Sequence, residues 1–162
     1  MPFFVIFVTL KNKKMYTFVK NFHSGWAYIA LFLLVFGVVN SFLGISSKRE
    51  FTTKDRRIAL FGLIVTHIQL VIGLILFFIS DNGFVKIGEV GMKAIMHNDG
   101  LRQTVIEHPL TNIIAIVLIT IGWSKHKKKE TSTLKFKAIT IFYLIGLLLL
   151  LAMIPWSAWL NK

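Results

Sequence analysis

Four long apolar runs constrain this 162-residue chain more than any other feature: GWAYIALFLLVFGVVNSFLGI at 25–45, IALFGLIVTHIQLVIGLILFFI at 58–79, LTNIIAIVLITIGW at 110–123 and AITIFYLIGLLLLLAMIPWSAWL at 138–160. A bilayer core of about 30 Å takes about 20 helical residues rising about 1.5 Å each. The third run reaches that length when its helix starts upstream, near Leu101. The expected spans are therefore about 25–45, 58–79, 101–123 and 138–160, with an outer loop at 80–108. Hydrocarbon offers no water to backbone N–H and C=O groups, so each span must be helical. With 55% hydrophobic and 16% charged residues, the composition is that of a membrane protein. The predicted fold is all-α: a single integral membrane domain over 1–162, a four-helix up-down-up-down bundle in which short connections make consecutive helices antiparallel neighbours.

The formal charge of +12 resides largely in two short connections. Lys48, Arg49, Lys54, Arg56 and Arg57 lie in 46–57, and Lys125, Lys127, Lys128, Lys129, Lys135 and Lys137 in 124–137. Basic residues that flank spans are topology signals, which puts loops 46–57 and 124–137 on the cytoplasmic side and argues against a nucleic-acid partner. The 80–108 loop and both termini then face the other way. Trp26, Trp123, Trp156 and Trp159 stand at span ends, the positions of an aromatic belt. Pro109 and Pro155 fall near helix ends, where a missing N–H is tolerated. Met1 to Leu10 is apolar but too short to span, and its lysines follow rather than precede it, unlike a signal peptide. The pattern points to translation starting at Met15.

Cysteine is absent, which excludes disulfides, thiolate metal sites and covalent haem attachment. No phosphate loop, zinc helix, nucleophile elbow or intramembrane carboxylate pair is present. Imidazole is the strong metal ligand that remains. His23, His67 and His108 stand in or at the mouth of three of the spans, where an ionisable group is disfavoured by about 2 to 3 kcal/mol or more. On a helical wheel His23 shares a face with Ala27, Ala30, Leu34, Gly37 and Ser41. His108 lines up with Thr104, Thr111, Asn112, Ala115 and Gly122. Such faces let a partner helix or a flat ligand approach closely. Bis-imidazole haem needs two histidines on different helices at similar depth. His23 and His108 fall at the same, non-cytoplasmic end and form the expected axial pair.

His67, about 13 Å deep at about 1.5 Å per residue, is the alternate ligand or serves a second site. Its bland reading is a hydrogen bond to Thr66, Gln69 or Asn112, just as His23 can be an interfacial residue and His108 a helix cap. Arg102 can meet a haem propionate or pair with Glu107. Met92, Met96 and His97 form a soft-ligand group for copper, or pack a short amphipathic helix. His126, among lysines, is assigned to a solvated loop.

The strings FHSGWAYIALFLLVFG (22–37), DRRIALFGLIVTHIQLVIG (55–73), EHPLTNIIAIVLITIGWSKHKK (107–128) and IPWSAWL (154–160) resemble a family of small bacterial four-helix membrane proteins labelled cytochrome b. The resemblance covers most of 16–160 and implies haem b, electron transfer and a bacterial cytoplasmic (inner) membrane. THIQLVIGLIL (66–76) is similar to the histidine helices of haem A synthase, although the fourth span here has no His. Partners expected are the lipid bilayer and a redox partner or larger membrane complex. Two other expectations stand beside the cytochrome: a cofactor-free scaffold or small subunit whose histidines bond between helices, and a copper- or haem-handling protein of oxidase assembly. None of the three requires the chain to be an enzyme by itself.

Overall fold

A computed structural model describes residues 13–154 and Trp156, and all the elements in it are helical. Helix α1 spans Lys13–Ser46, α2 Thr53–Ile79, α3 Val85–His97, α4 Asp99–Lys127 and α5 Ser132–Ala152. Four of them, α1, α2, α4 and α5, are long and apolar enough to cross a membrane. The chain is a multi-pass membrane protein by that measure. Residues 1–12, and with them most of the stretch before Met15, lie outside the described residues, as do Pro155 and Trp159.

The helices pack in a ring: α1 on α2, α2 on α4, α4 on α5 and α5 on α1. Thus α1 and α4 face each other diagonally across the interior. Each helix is apolar around most of its circumference, so packing selects the inward stripe by size rather than by polarity. On α1 that stripe is Ala30, Leu34, Gly37, Ser41 and Gly44. Large residues such as Phe32, Phe42 and Leu148 stay on the outer surface, as lipid-facing positions do. Glycines set the closest contacts: a Cβ at Gly146 would stand 2.6 Å from Ile119 Cγ1 and 3.0 Å from the Ala115 carbonyl oxygen. Leu34, Ile119, Ile139 and Tyr143 are fully buried at the centre, and the Tyr143 hydroxyl donates to the Ala59 carbonyl 2.9 Å away.

Helices reach beyond the apolar runs wherever capping and side-chain pairing allow. Helix α1 starts at least twelve residues before its run, carried by Phe18, Phe22 and Trp26, which stack at i, i+4 spacing. Helix α4 begins behind Asn98, whose side-chain oxygen accepts the Leu101 N–H at 3.0 Å. The 80–108 region expected as a loop is therefore mostly helix, α3 plus the first turns of α4. Helix α3 is kinked at Gly91, whose φ of 77° favours a residue without a Cβ.

Two further expectations are modified. Pro109 stands in the first turn of the α-helical stretch His108–Lys127, near a helix end as expected, but α4 continues upstream of it. A proline there removes an N–H and crowds the carbonyl four residues earlier. Helix α4 answers with a π-turn over Gln103–Glu107, in which the His108 N–H reaches back five residues to the Gln103 carbonyl. The tryptophans do not form a simple belt either. Trp123 is buried, and the Trp26 indole N–H donates to the Val65 carbonyl on α2 at 3.0 Å.

At the end carrying the basic loops, α1 and α2 are tied by Asp55. Its carboxylate accepts both Arg49 guanidinium nitrogens at 2.8 Å, Asn40 Nδ2 at 2.9 Å, and the N–H and hydroxyl of Thr52 at 2.9 and 2.7 Å. The buried charge is thus paired and fully hydrogen-bonded, as burial requires.

Candidate functional site

The opposite end of the bundle encloses a cavity of about 420 Å³ between all four long helices. That volume lies within the range of about 300–1,000 Å³ common for small-molecule sites. His23 enters it from α1 and His108 from α4, and their ring centroids are 6.3 Å apart with planes inclined at 63°. Two histidines 85 positions apart therefore meet across the diagonal. The π-turn before His108 sets the register of that side chain, and Gly73 on α2 clears the space for His23. A Cβ at Gly73 would come within 3.1 Å of His23 Cε1.

Each imidazole has an amide partner from a neighbouring turn or helix. The Gln69 side-chain nitrogen donates to the His23 carbonyl at 3.1 Å and lies 3.3 and 3.4 Å from the two ring nitrogens. His108 Nδ1 stands 3.0 Å from the Met153 carbonyl oxygen, and His108 Nε2 stands 3.0 Å from Asn112 Nδ2. A carbonyl can only accept, so Nδ1 carries the proton and Nε2 of the neutral ring is the lone-pair nitrogen. The atom of Asn112 facing that lone pair must then be its NH₂. The same argument from the His23 carbonyl orients Gln69.

Both amide oxygens are consequently turned away from these partners, and they are left over. Gln69 Oε1 and Asn112 Oδ1 are buried without a hydrogen-bond partner. An orphaned buried polar atom costs about 1–3 kcal/mol, and both belong to residues lining the one cavity. The exposed cation at this rim is Lys20.

The remaining sequence candidates lie elsewhere. His67 does not line the cavity. It is exposed on the outer surface of α2, with Nδ1 donating to the Leu63 carbonyl at 2.8 Å and Nε2 3.4 Å from Thr120 Oγ1 on α4. The expected partners Thr66, Gln69 and Asn112 are engaged otherwise: the Thr66 hydroxyl serves the Gly62 and Leu63 carbonyls, and the two amides serve His23 and His108. Arg102 also stands apart from the cavity. It pairs with Glu107 at 2.8 Å and Asp99 at 3.0 Å, and donates to the Met96 carbonyl at 3.2 Å. The expected ion pair with Glu107 is thus present. His97 Nδ1 donates to the Lys93 carbonyl, while Met92 and Met96 remain on the surface of α3.

Among the described residues no three His, Asp or Glu side chains gather as a metal-binding group. The arrangement is a pair of imidazoles, not a cluster. Lys20 went unnoticed in the sequence because it precedes the apolar run, and the helical continuation that aims it at the cavity depends on packing. No family model, curated protein or solved structure matches this chain.

Proposed function

We propose that this protein is a b-type haem-binding membrane protein acting in electron transfer, with His23 and His108 as axial ligands. The single observation that carries the reading is the pair of imidazoles, 6.3 Å between centroids, converging on one cavity from diagonal helices. Rings this close would let one nitrogen of His23 and one of His108 hold the same metal at about 2 Å each. Metal-bound histidines commonly donate their second ring N–H to a carbonyl, and His108 already does so to Met153. Nε2 is then the ligating atom of His108. Gly73 leaves room beside His23, and Lys20 at the rim suits a propionate better than Arg102 does.

The bound group would supply one-electron chemistry; the chain supplies ligation, depth and exclusion of water. The Asn112 amide must turn away from His108 Nε2 for ligation, and the Gln69 amide must yield at His23. Haem-protein assembly is the same site's alternative role. Orientation follows the basic loops: 46–57 and 124–137 in the cytoplasm, and the cavity toward the outer face of a bacterial inner membrane.

A second reading draws on the hydrogen bonds already in place: a cofactor-free scaffold or small subunit, in which Gln69 and Asn112 tie the histidines between helices. A dithionite-reduced minus oxidised spectrum after haem-supplemented expression separates the two. A Soret and an α band are expected, and each is expected to be lost in His23→Ala and in His108→Ala but kept in His67→Ala. No band in the parent protein, or full haem in both the His23 and His108 variants, refutes the assignment.

A further inference from the structure

The end of the bundle far from the histidine cavity carries a second cavity, of about 440 Å³, formed where the two basic loops meet. The Phe51 N–H donates to Ser132 Oγ at 3.0 Å, pinning the α1–α2 connection to the start of α5. The Phe51 ring packs 4.9 Å from Phe136 and 5.5 Å from His126, and His126 packs 4.6 Å from Trp123. These rings hold the loops in one shape. The histidine assigned to a solvated loop is in fact 2% exposed, and its Nδ1 has no hydrogen-bond partner.

Around that floor stand Arg56, Lys127 and Lys135, three cations with no carboxylate in the lining. Arg56 and Lys127 both lie over the Trp123 ring, at 6.0 and 4.8 Å from its centroid, so they share one wall. Asp55, one residue before Arg56, is already engaged by Arg49, Asn40 and Thr52. Thr52 and Thr53 bring the N-terminus of α2, a 27-residue helix, into the same lining. That helix end is already closed by a capping box between Thr52 and Asp55, so the charge available to an anion here is that of the three side chains.

Like charges gathered on one wall repel, and the three cations here have no acid of this lining to offset them. The arrangement calls for an anion with several acceptor oxygens. Its place supplies one: the cavity lies at the ends of membrane-spanning helices, the depth of phospholipid headgroups, and basic pockets between such helices bind anionic headgroups. We propose that this cavity binds a phosphate group, that of an anionic phospholipid, through Arg56, Lys127 and Lys135. The proposal is independent of what occupies the histidine cavity.

Native mass spectrometry of the full chain, extracted in mild detergent and titrated with phosphatidylglycerol or phosphatidylcholine, tests it. Phosphatidylglycerol adducts are expected to be favoured, and the preference to fall about fivefold per cation removed in Arg56→Gln and in Arg56→Gln/Lys127→Gln/Lys135→Gln. Lys86→Gln/Lys93→Gln, which removes two cations from α3, is the charge-matched control for lysine loss and is expected to leave the preference intact. Equal retention of the two lipids by the parent, or an unchanged preference in both Arg56 variants, overturns the site. Inorganic phosphate that displaces phosphatidylglycerol at equal concentration overturns the lipid as the source and leaves free phosphate as the ligand. The single Arg56→Gln change, at an exposed residue, keeps the test valid where the triple variant fails to fold.

Discussion

Two buried polar networks, one at each end of this bundle, are built in opposite ways. At the basic end, Asp55 is 4% exposed and accepts from Arg49, Asn40 and Thr52, so its charge is compensated within the chain. At the other end, Gln69 and Asn112 each spend an NH₂ on a histidine or its carbonyl and keep a buried oxygen unpaired. The Asp55 network is completed by the chain's own residues, while His126 Nδ1 at the same end stays unpaired. The other network is built around a cavity, where two amide oxygens make no hydrogen bond to the protein.

Substitutions can break or sharpen that contrast. The largest effect is expected in the Asp55 network: Asp55→Ala leaves Arg49 and Asn40 without their partner and should lower stability by about 2–3 kcal/mol, read by chemical unfolding in detergent. A smaller loss despite retained expression would mean that the network is dispensable. Next comes helix contact: Gly146→Leu drives a side chain into Ile119 and the Ala115 carbonyl and should cost about 1–3 kcal/mol, or shift α4 from α5. At the open end, Asn112→Leu removes one hydrogen bond and one orphaned oxygen together, so apo stability should change by less than about 1 kcal/mol. A loss as large as that of Asp55→Ala would show the two ends to be alike. The smallest change is expected for His67→Leu, which replaces an outward imidazole with an apolar side chain and should leave both unfolding midpoint and haem content near those of the parent.

Much of the site was legible before any coordinates, and the limits follow from particular residues. His23 and His108 could be paired from sequence because hydropathy places both at one end and both lie on small-residue faces. Gln69 and Asn112 were noticed as polar residues in spans but matched to His67, since a helical wheel gives an angle and not the neighbouring helix that fills it. For Arg102 the sequence offered Glu107 as an ion-pair partner, and the structure shows that pair and adds Asp99, which sequence reasoning did not single out. His126 was misread because its lysine neighbours suggest solvent, whereas the ring turns inward against Phe51 and Trp123. The third span's true course depended on Pro109: sequence marks a break, and the π-turn that carries the helix through it is a response of the backbone to that missing N–H.

The sequence by itself determined four membrane-spanning helices and an all-α fold, because transfer of apolar runs and their backbone into hydrocarbon is a local, additive property of about 20 residues at a time. Which helices stand diagonally, which amides meet which imidazoles, and that a cavity lined by two histidines opens at one end and one ringed by cations at the other, only the tertiary structure decided. Those outcomes rest on steric fit between nearly uniform apolar surfaces at glycine contacts, where a displacement of an ångström exchanges one partner for another.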